Sequence, residues 1–204
     1  MGSHMNVEQD RNAFKTADTI ADHLVYAWNY HATLRALQRH ARETADVLDA
    51  HGHFISTVTY AIWDALFLEI AHCSDRRKEA MGFPTLFKQL RVYLPEDHGL
   101  RGSVDQQERA IASLHARQKL ENWRNQMVAH HTTIGESSKF YTRNVCSLDE
   151  IEALIRAFNK ILHSLSIKMW NQAFCVEDLG SRASQGVDRL VEMMKRGGQS
   201  DPVR

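Results

Sequence analysis

Three prolines and ten glycines in 204 residues leave long stretches with nothing to interrupt a helix. Proline removes a backbone donor and clashes with the preceding turn, and glycine weakens a helix interior by about 1 kcal/mol. Within these stretches the apolar residues fall in helical register. The first predicted helix runs from about Ala13 to Val47, with Ile20, Leu24, Ala27, Trp28, Leu34 and Leu37 on its apolar face. A break follows at Asp49-Ala50-His51-Gly52. The second helix, about His53–Cys73, carries Phe54, Ile55, Val58, Tyr60, Ile62, Trp63, Leu66, Phe67 and Ile70. It is apolar on most sides, and such a helix is expected at the centre of its bundle.

The rest of the chain reads the same way. Ser74-Asp75-Arg76-Arg77-Lys78 is a polar turn, and Pro84 opens a shorter helix to about Tyr93. Pro95, Gly99 and Gly102 mark a loop. Ser103-x-x-Gln106 predicts a capping box for a long helix from about Val104 to His130. Thr132–Asn144 reads as a loop, with Phe140–Val145 as its one extended stretch. Ser147-x-x-Glu150 is a stronger capping box, opening a helix through about Gln172, and a weaker helix spans about Val176–Arg196. The expected architecture is an all-α antiparallel bundle of four long helices plus accessory helices. Residues 1–5 read as a tag remnant, 6–196 as a single helical domain and 197–204 as a frayed tail.

Charge narrows the function classes. Lys and Arg number 25 and Asp and Glu number 25, so no global basic excess argues for nucleic acid, and any cationic surface has to be local or made by assembly. Cys73, Cys146 and Cys175 form no CxxC pair, which fits reduced thiols in a cytoplasmic protein. Asp64 and Glu69 interrupt the longest apolar run, so no membrane span is expected.

There is no phosphate-binding Gly-rich loop, GxSxG elbow or HExxH motif in the chain. Glu69-x-x-His72 has the spacing used in carboxylate-bridged di-iron bundles, but the second such motif is missing. His23 and His31 read as core-edge histidines with ordinary partners, and His51 and His53 as residues of a solvated turn. No cofactor and no metal are expected. Trp28, Trp63, Trp123 and Trp170 read as core or dimer contacts rather than base-stacking platforms. Arg76, Arg77 and Lys78 read as a solvated turn.

The segment Trp123-Arg124-Asn125-Gln126-Met127-Val128-Ala129-His130-His131 stands apart. From spacing alone, Arg124 paired with Glu121 and His130 at the negative end of the helix dipole account for it. Arg124-Asn125-x-x-x-x-His130 also resembles the R-polar-x(3–5)-H signature of the HEPN superfamily. Its Arg-Asn…Ala-His form is similar to the branch found in U-type abortive-phage-infection proteins. Ile70-Ala71-His72-Cys73-Ser74-Asp75 and the short Pro84–Leu90 segment agree with that branch, and the resemblance covers roughly Thr16–Trp170.

The resemblance implies a helical bundle, a homodimer and a metal-independent endoribonuclease in a defence or toxin setting, with RNA as substrate and an antitoxin or defence-system partner. It places Arg124, Asn125 and His130 as catalytic residues. The alternative it leaves is a catalytically silent module that binds a protein or nucleotide. Two features complicate the transfer. Six residues of ideal helix leave Arg124 and His130 about 120° apart, whereas His131 shares the face of Arg124 and is the alternative catalytic histidine. The tyrosine that some HEPN toxins carry two residues after the histidine is Thr132 here, which argues against a nucleotidyltransferase antitoxin.

Overall fold

A computed structural model describes residues 7–43, 52–77, 79–94, 96, 98–129, 146–174 and 180–197; the side chains of residues 123–129 are outside that description. Seven helices and no strand are found among the described residues. They are α1 (Val7–Glu43), α2 (Gly52–Ser74), α3 (Phe83–Tyr93), α4 (Gly99–Ala112), α5 (His115–Ala129), α6 (Leu148–Trp170) and α7 (Gly180–Gly197).

The strut of the bundle is α1, which packs against α2, α3, α6 and α7. Its predicted stripe is buried as expected: Ile20, Leu24, Ala27, Trp28 and Leu34 join the main core, and Leu37 joins a smaller cluster with Val187 and Val191 of α7. Each large apolar side chain so buried contributes roughly 1.5–3 kcal/mol, as an upper estimate. Polar contacts fix the directions. Near the start of α1, Asp10 accepts from the indole of Trp170 at the end of α6 (2.8 Å). Near its other end, His31 donates to the Leu148 carbonyl at the start of α6 (3.0 Å) and Arg35 pairs with Asp149. The two helices are therefore antiparallel.

The capping box of α6 is present. The Ser147 hydroxyl accepts from the Glu150 amide (3.1 Å) and the Glu150 carboxylate accepts from the Ser147 amide (2.8 Å). The helix ends at Asn171, whose left-handed backbone (φ 52°) suits an asparagine cap. Its apolar face, Ile151 to Leu165, meets α3 through Phe158 against Phe83 (centroids 5.2 Å apart). Pro84 occupies the first turn of α3 as expected.

Two expectations need correction. The long helix over Val104–His130 is two helices, divided at Ser113-Leu114. The Ser113 hydroxyl donates to the Ala110 carbonyl (2.8 Å) and the Leu114 amide to Ile111 (3.2 Å), a tightened turn that lets Leu114 pack on the core. The helix before the break starts at Gly99, capped by the His98 ring, which accepts from the Leu100 amide (3.2 Å). Ser103 therefore lies inside α4, and its predicted capping box does not form.

The second correction concerns α2. It is peripheral, packed on α1, α3 and α5. Leu66, Ile70 and Cys73 reach the core, whereas Phe54 is 55% exposed and Tyr60 73%. Among the described residues it is the one helix long and apolar enough to cross a membrane by length and composition, and 17% of its apolar window is buried. The sequence expectation of no such segment therefore fails on that criterion. Glu69 and the buried end of the helix tie it to α1.

Gly82 sets the approach of α3 to the end of α2. A Cβ there would lie 2.7 Å from the His72 carbonyl oxygen and 2.8 Å from that of Cys73. Both are backbone atoms and cannot swing away. Gly82→Ala is expected to cost about 1–3 kcal/mol, typical of overpacking, read as a lower midpoint in urea unfolding. An unchanged midpoint would mean that the junction relaxes freely.

Candidate functional site

The helix α5 spans the positions of Arg124 and Asn125, but their side chains are outside the described residues. His130, His131, Thr132 and the predicted loop Thr132–Asn144 also lie outside them. What the structure does give is the setting of this helix. It packs against α2 and α6, with Leu120 in the core and Arg117 in its first turns.

Arg117 is 6% exposed, an unusual state for a guanidinium. Its Nη2 donates to Glu121 one turn on. Its Nε, also buried, meets no acceptor among the described residues. Glu121, which the sequence offered as a partner for Arg124, is thus engaged by Arg117.

Arg117 lines an open cavity of about 780 Å³ between α1, α3, α4 and the start of α5. Arg76, Arg77 and Lys88 also border it, against Glu108 as the single acidic side chain among the described lining residues. That carboxylate is already paired with Arg91. Asp75 is buried and holds Arg77 in place: it accepts from the Arg77 backbone amide (3.0 Å), Nε (2.8 Å) and Nη2 (2.6 Å). The polar turn after α2 is therefore more than solvated loop, because one of its arginines is fixed at the rim of a cationic cavity. The N-terminal end of α5 adds the positive end of its dipole. An anion of phosphate type suits this lining.

A second cluster lies at the end of α2. His23 Nδ1 is 2.6 Å from Glu69 Oε2, and the His23 and His72 rings stand 4.8 Å apart. Partial desolvation first, and the neighbouring His23 second, hold His72 below the usual histidine pKa, which favours its neutral ring. His31 has the ordinary partners expected of it, and burial lowers its pKa as well. Trp28 is buried, while Trp63 packs on Phe67 and Trp170 edge-on against Phe14, as core readings of these residues require. Trp123 is outside the described side chains.

Sequence reasoning missed Arg117, Asp75 and the joining of His23 to Glu69-x-x-His72. A signal existed for Arg117, which sits seven residues before Arg124 on one helix. None existed for His23, which meets its partners only through the packing of α1 on α2.

The comparisons with known proteins agree with this fold. No curated protein and no solved structure matches the chain. The HEPN family model described as AbiU2 matches residues 15–190. An all-helical bundle with that match is a HEPN domain of the abortive-infection class, and the chain belongs to the HEPN AbiU2 family.

The thiols yield a direct check of the core. Cys73 is buried, and burial raises its pKa far above the usual thiol range; Cys146 is pushed up to about 11, by burial first and Glu150 second. Both stay protonated at pH 8, and neither is accessible. Iodoacetamide is expected to leave them unmodified in the native protein and to label both in urea, read by peptide mass spectrometry. Rapid native labelling of either would contradict the packing described.

Proposed function

We propose that this HEPN domain is a metal-independent endoribonuclease acting on cytoplasmic RNA, with Arg124, Asn125 and His130 as its catalytic set. The observation that supports it most is Arg117. Arg124 follows Arg117 by seven residues of α5, a rise of about 10 Å in an ideal helix. A polyanion held by Arg117, Arg77 and Lys88 would thus run along α5 toward the motif.

The chemistry follows from what RNA supplies. Its 2′-hydroxyl is an internal nucleophile held beside the phosphate, so the protein needs a base, an acid and a cation. His130 removes the 2′-hydroxyl proton. Arg124 stabilises the charge that builds on the phosphoryl oxygens, and Asn125 orients the phosphate or the imidazole. The 2′-oxygen bonds to phosphorus as the bond to the 5′-oxygen breaks, leaving a 2′,3′-cyclic phosphate and a protonated 5′-hydroxyl.

Structured RNA is expected to be cleaved in EDTA, and DNA or a substrate with a 2′-deoxy group at the scissile nucleotide to survive. His130→Ala should abolish cleavage with the fold intact, and His131→Ala should weaken it less. Loss of Arg124 should cost on the order of 10²–10³ in rate, by analogy with single oxyanion donors. Arg117→Gln should weaken RNA binding about tenfold, roughly 1.4 kcal/mol. Cleavage of the 2′-deoxy substrate, or activity that EDTA removes and magnesium or manganese restores, would reject this mechanism. Tight RNA binding without cleavage would favour the silent module.

We also propose that the chain acts as a two-fold homodimer through the open face of α2. Phe54, Ala61 and Leu68 are exposed and stand seven residues apart, on one side of the helix, with Tyr60 beside them. Because α2 packs on α5, a two-fold axis through this face would bring two motif helices to one side of the assembly. Light scattering is expected to return a dimer mass at micromolar protein, and Tyr60→Glu with Phe54→Asp to return a monomer. A monomeric wild type, or wild-type protein that partitions onto lipid vesicles through α2, would overturn this assignment.

A further inference from the structure

Two elements that are far apart in sequence bring three ligating side chains together. Glu69 and His72, one turn apart, share a face of α2. His23 meets them from α1. One donor atom from each of His23, Glu69 and His72 lies within 4.8 Å of the other two. His23 Nδ1 and Glu69 Oε2 are the closest pair, at 2.6 Å. An ordinary ion pair accounts for one imidazole beside the carboxylate. It gives no reason for a second imidazole 4.8 Å from the first, since the two would repel if both were protonated.

We propose that His23, Glu69 and His72 bind one divalent transition-metal ion of the zinc class, clamping α1 to the end of α2. Two imidazole nitrogens and one carboxylate oxygen suit zinc and its neighbours rather than magnesium or calcium. Tetrahedral coordination at about 2.0–2.2 Å separates donors by about 3.3–3.5 Å. The observed separations, from 2.6 Å to within 4.8 Å, bracket that value, so modest side-chain rotations complete the site. His23 and Glu69 are partly buried and His72 is exposed, which leaves a fourth position open to water.

The surroundings are fixed in advance. The bare Cα of Gly82 sits against the His72 and Cys73 carbonyls and pins the last turn of α2. Met81, the residue before it, meets the Thr19 hydroxyl one turn before His23 on α1 (3.6 Å). The segment Met81-Gly82 therefore laces both ligand-bearing helices on the side next to the cluster. The site is independent of the ribonuclease reading, because none of its ligands belongs to the Arg124–His130 motif.

The test uses the full chain after chelator treatment and dialysis, titrated with Zn²⁺ against a competing chelator and, separately, with Co²⁺ for its visible d–d absorption. One ion per chain is expected, with a four-coordinate Co²⁺ spectrum and a rise in Tm on adding Zn²⁺. Glu69→Gln and His72→Gln, conservative changes with the retained fold checked by circular dichroism, should each lower affinity at least tenfold and abolish the Tm rise. His53→Ala, an exposed histidine at the other end of α2, should bind as wild type. Absence of stoichiometric binding, or variants that bind as tightly as wild type, would overturn the proposal. Neither readout involves RNA, so failure here and failure of the ribonuclease reading are separate results.

Discussion

The burial of one face of α1 is the constraint on which the other helices depend. Ala13, Ala17, Ile20, Leu24 and Ala27 are wholly buried along it, and the small residues among them let neighbouring helices approach closely. Apolar burial is non-directional, so it holds the neighbours without setting their register. Polar side chains along the same helix do that. Asp10 takes the Trp170 indole, His23 the Glu69 carboxylate, His31 the Leu148 carbonyl, Arg35 the Asp149 carboxylate and His40 that of Asp188. Exposed or half-exposed pairs of this kind contribute about 0–1 kcal/mol each. Their weight lies in selecting one alignment of α2, α6 and α7 among several that would bury similar area.

The position of α2 follows from what α1 leaves over. The fully buried residues of α2 lie in its end, from Leu66 to Cys73, with Ile62 and Trp63 partly buried against the core before them. Its first half leaves Phe54 and Tyr60 exposed among the described elements. An all-round apolar sequence therefore does not identify the centre of a bundle; it identifies a helix with apolar surface to bury somewhere. A contiguous exposed patch of this kind is what interaction surfaces are made of. The same helix carries Glu69 and His72 on the side that faces α1, so one element serves the core, the cluster with His23 and an open face.

Periodicity and capping chemistry made most of the architecture legible in the sequence. The Ser147–Glu150 box, Pro84 in the first turn of α3 and the stripe of α1 all stand where the residues put them. The failures have physical causes. Ser113 looks like any helical serine until its hydroxyl bonds to Ala110 and Leu114 turns into the core. His98 caps α4 although histidine is a minor capping residue. The motif at Arg124–His130 was legible only by resemblance, since its spacing also fits a plain helix end. Arg117 and His23 belong to sites that exist through tertiary packing; heptad spacing from Arg124 points to the first, and no local pattern announces the second.

Balanced composition hides how charge is arranged around the cavity. Its neighbouring carboxylates are spoken for: Glu108 by Arg91, Glu121 by Arg117 and the buried Asp75 by Arg77. Asp75 deepens the asymmetry, because its own charge is out of solvent while the guanidinium it fixes is largely exposed at the rim. Arg117 is the reverse case, a buried cation paired with Glu121, its Nε lacking any acceptor among the described residues. A buried donor left unmade costs about 1–3 kcal/mol, and more when it is charged. Burial of Arg117 thus keeps a guanidinium beside the cavity in a chain whose net charge is zero.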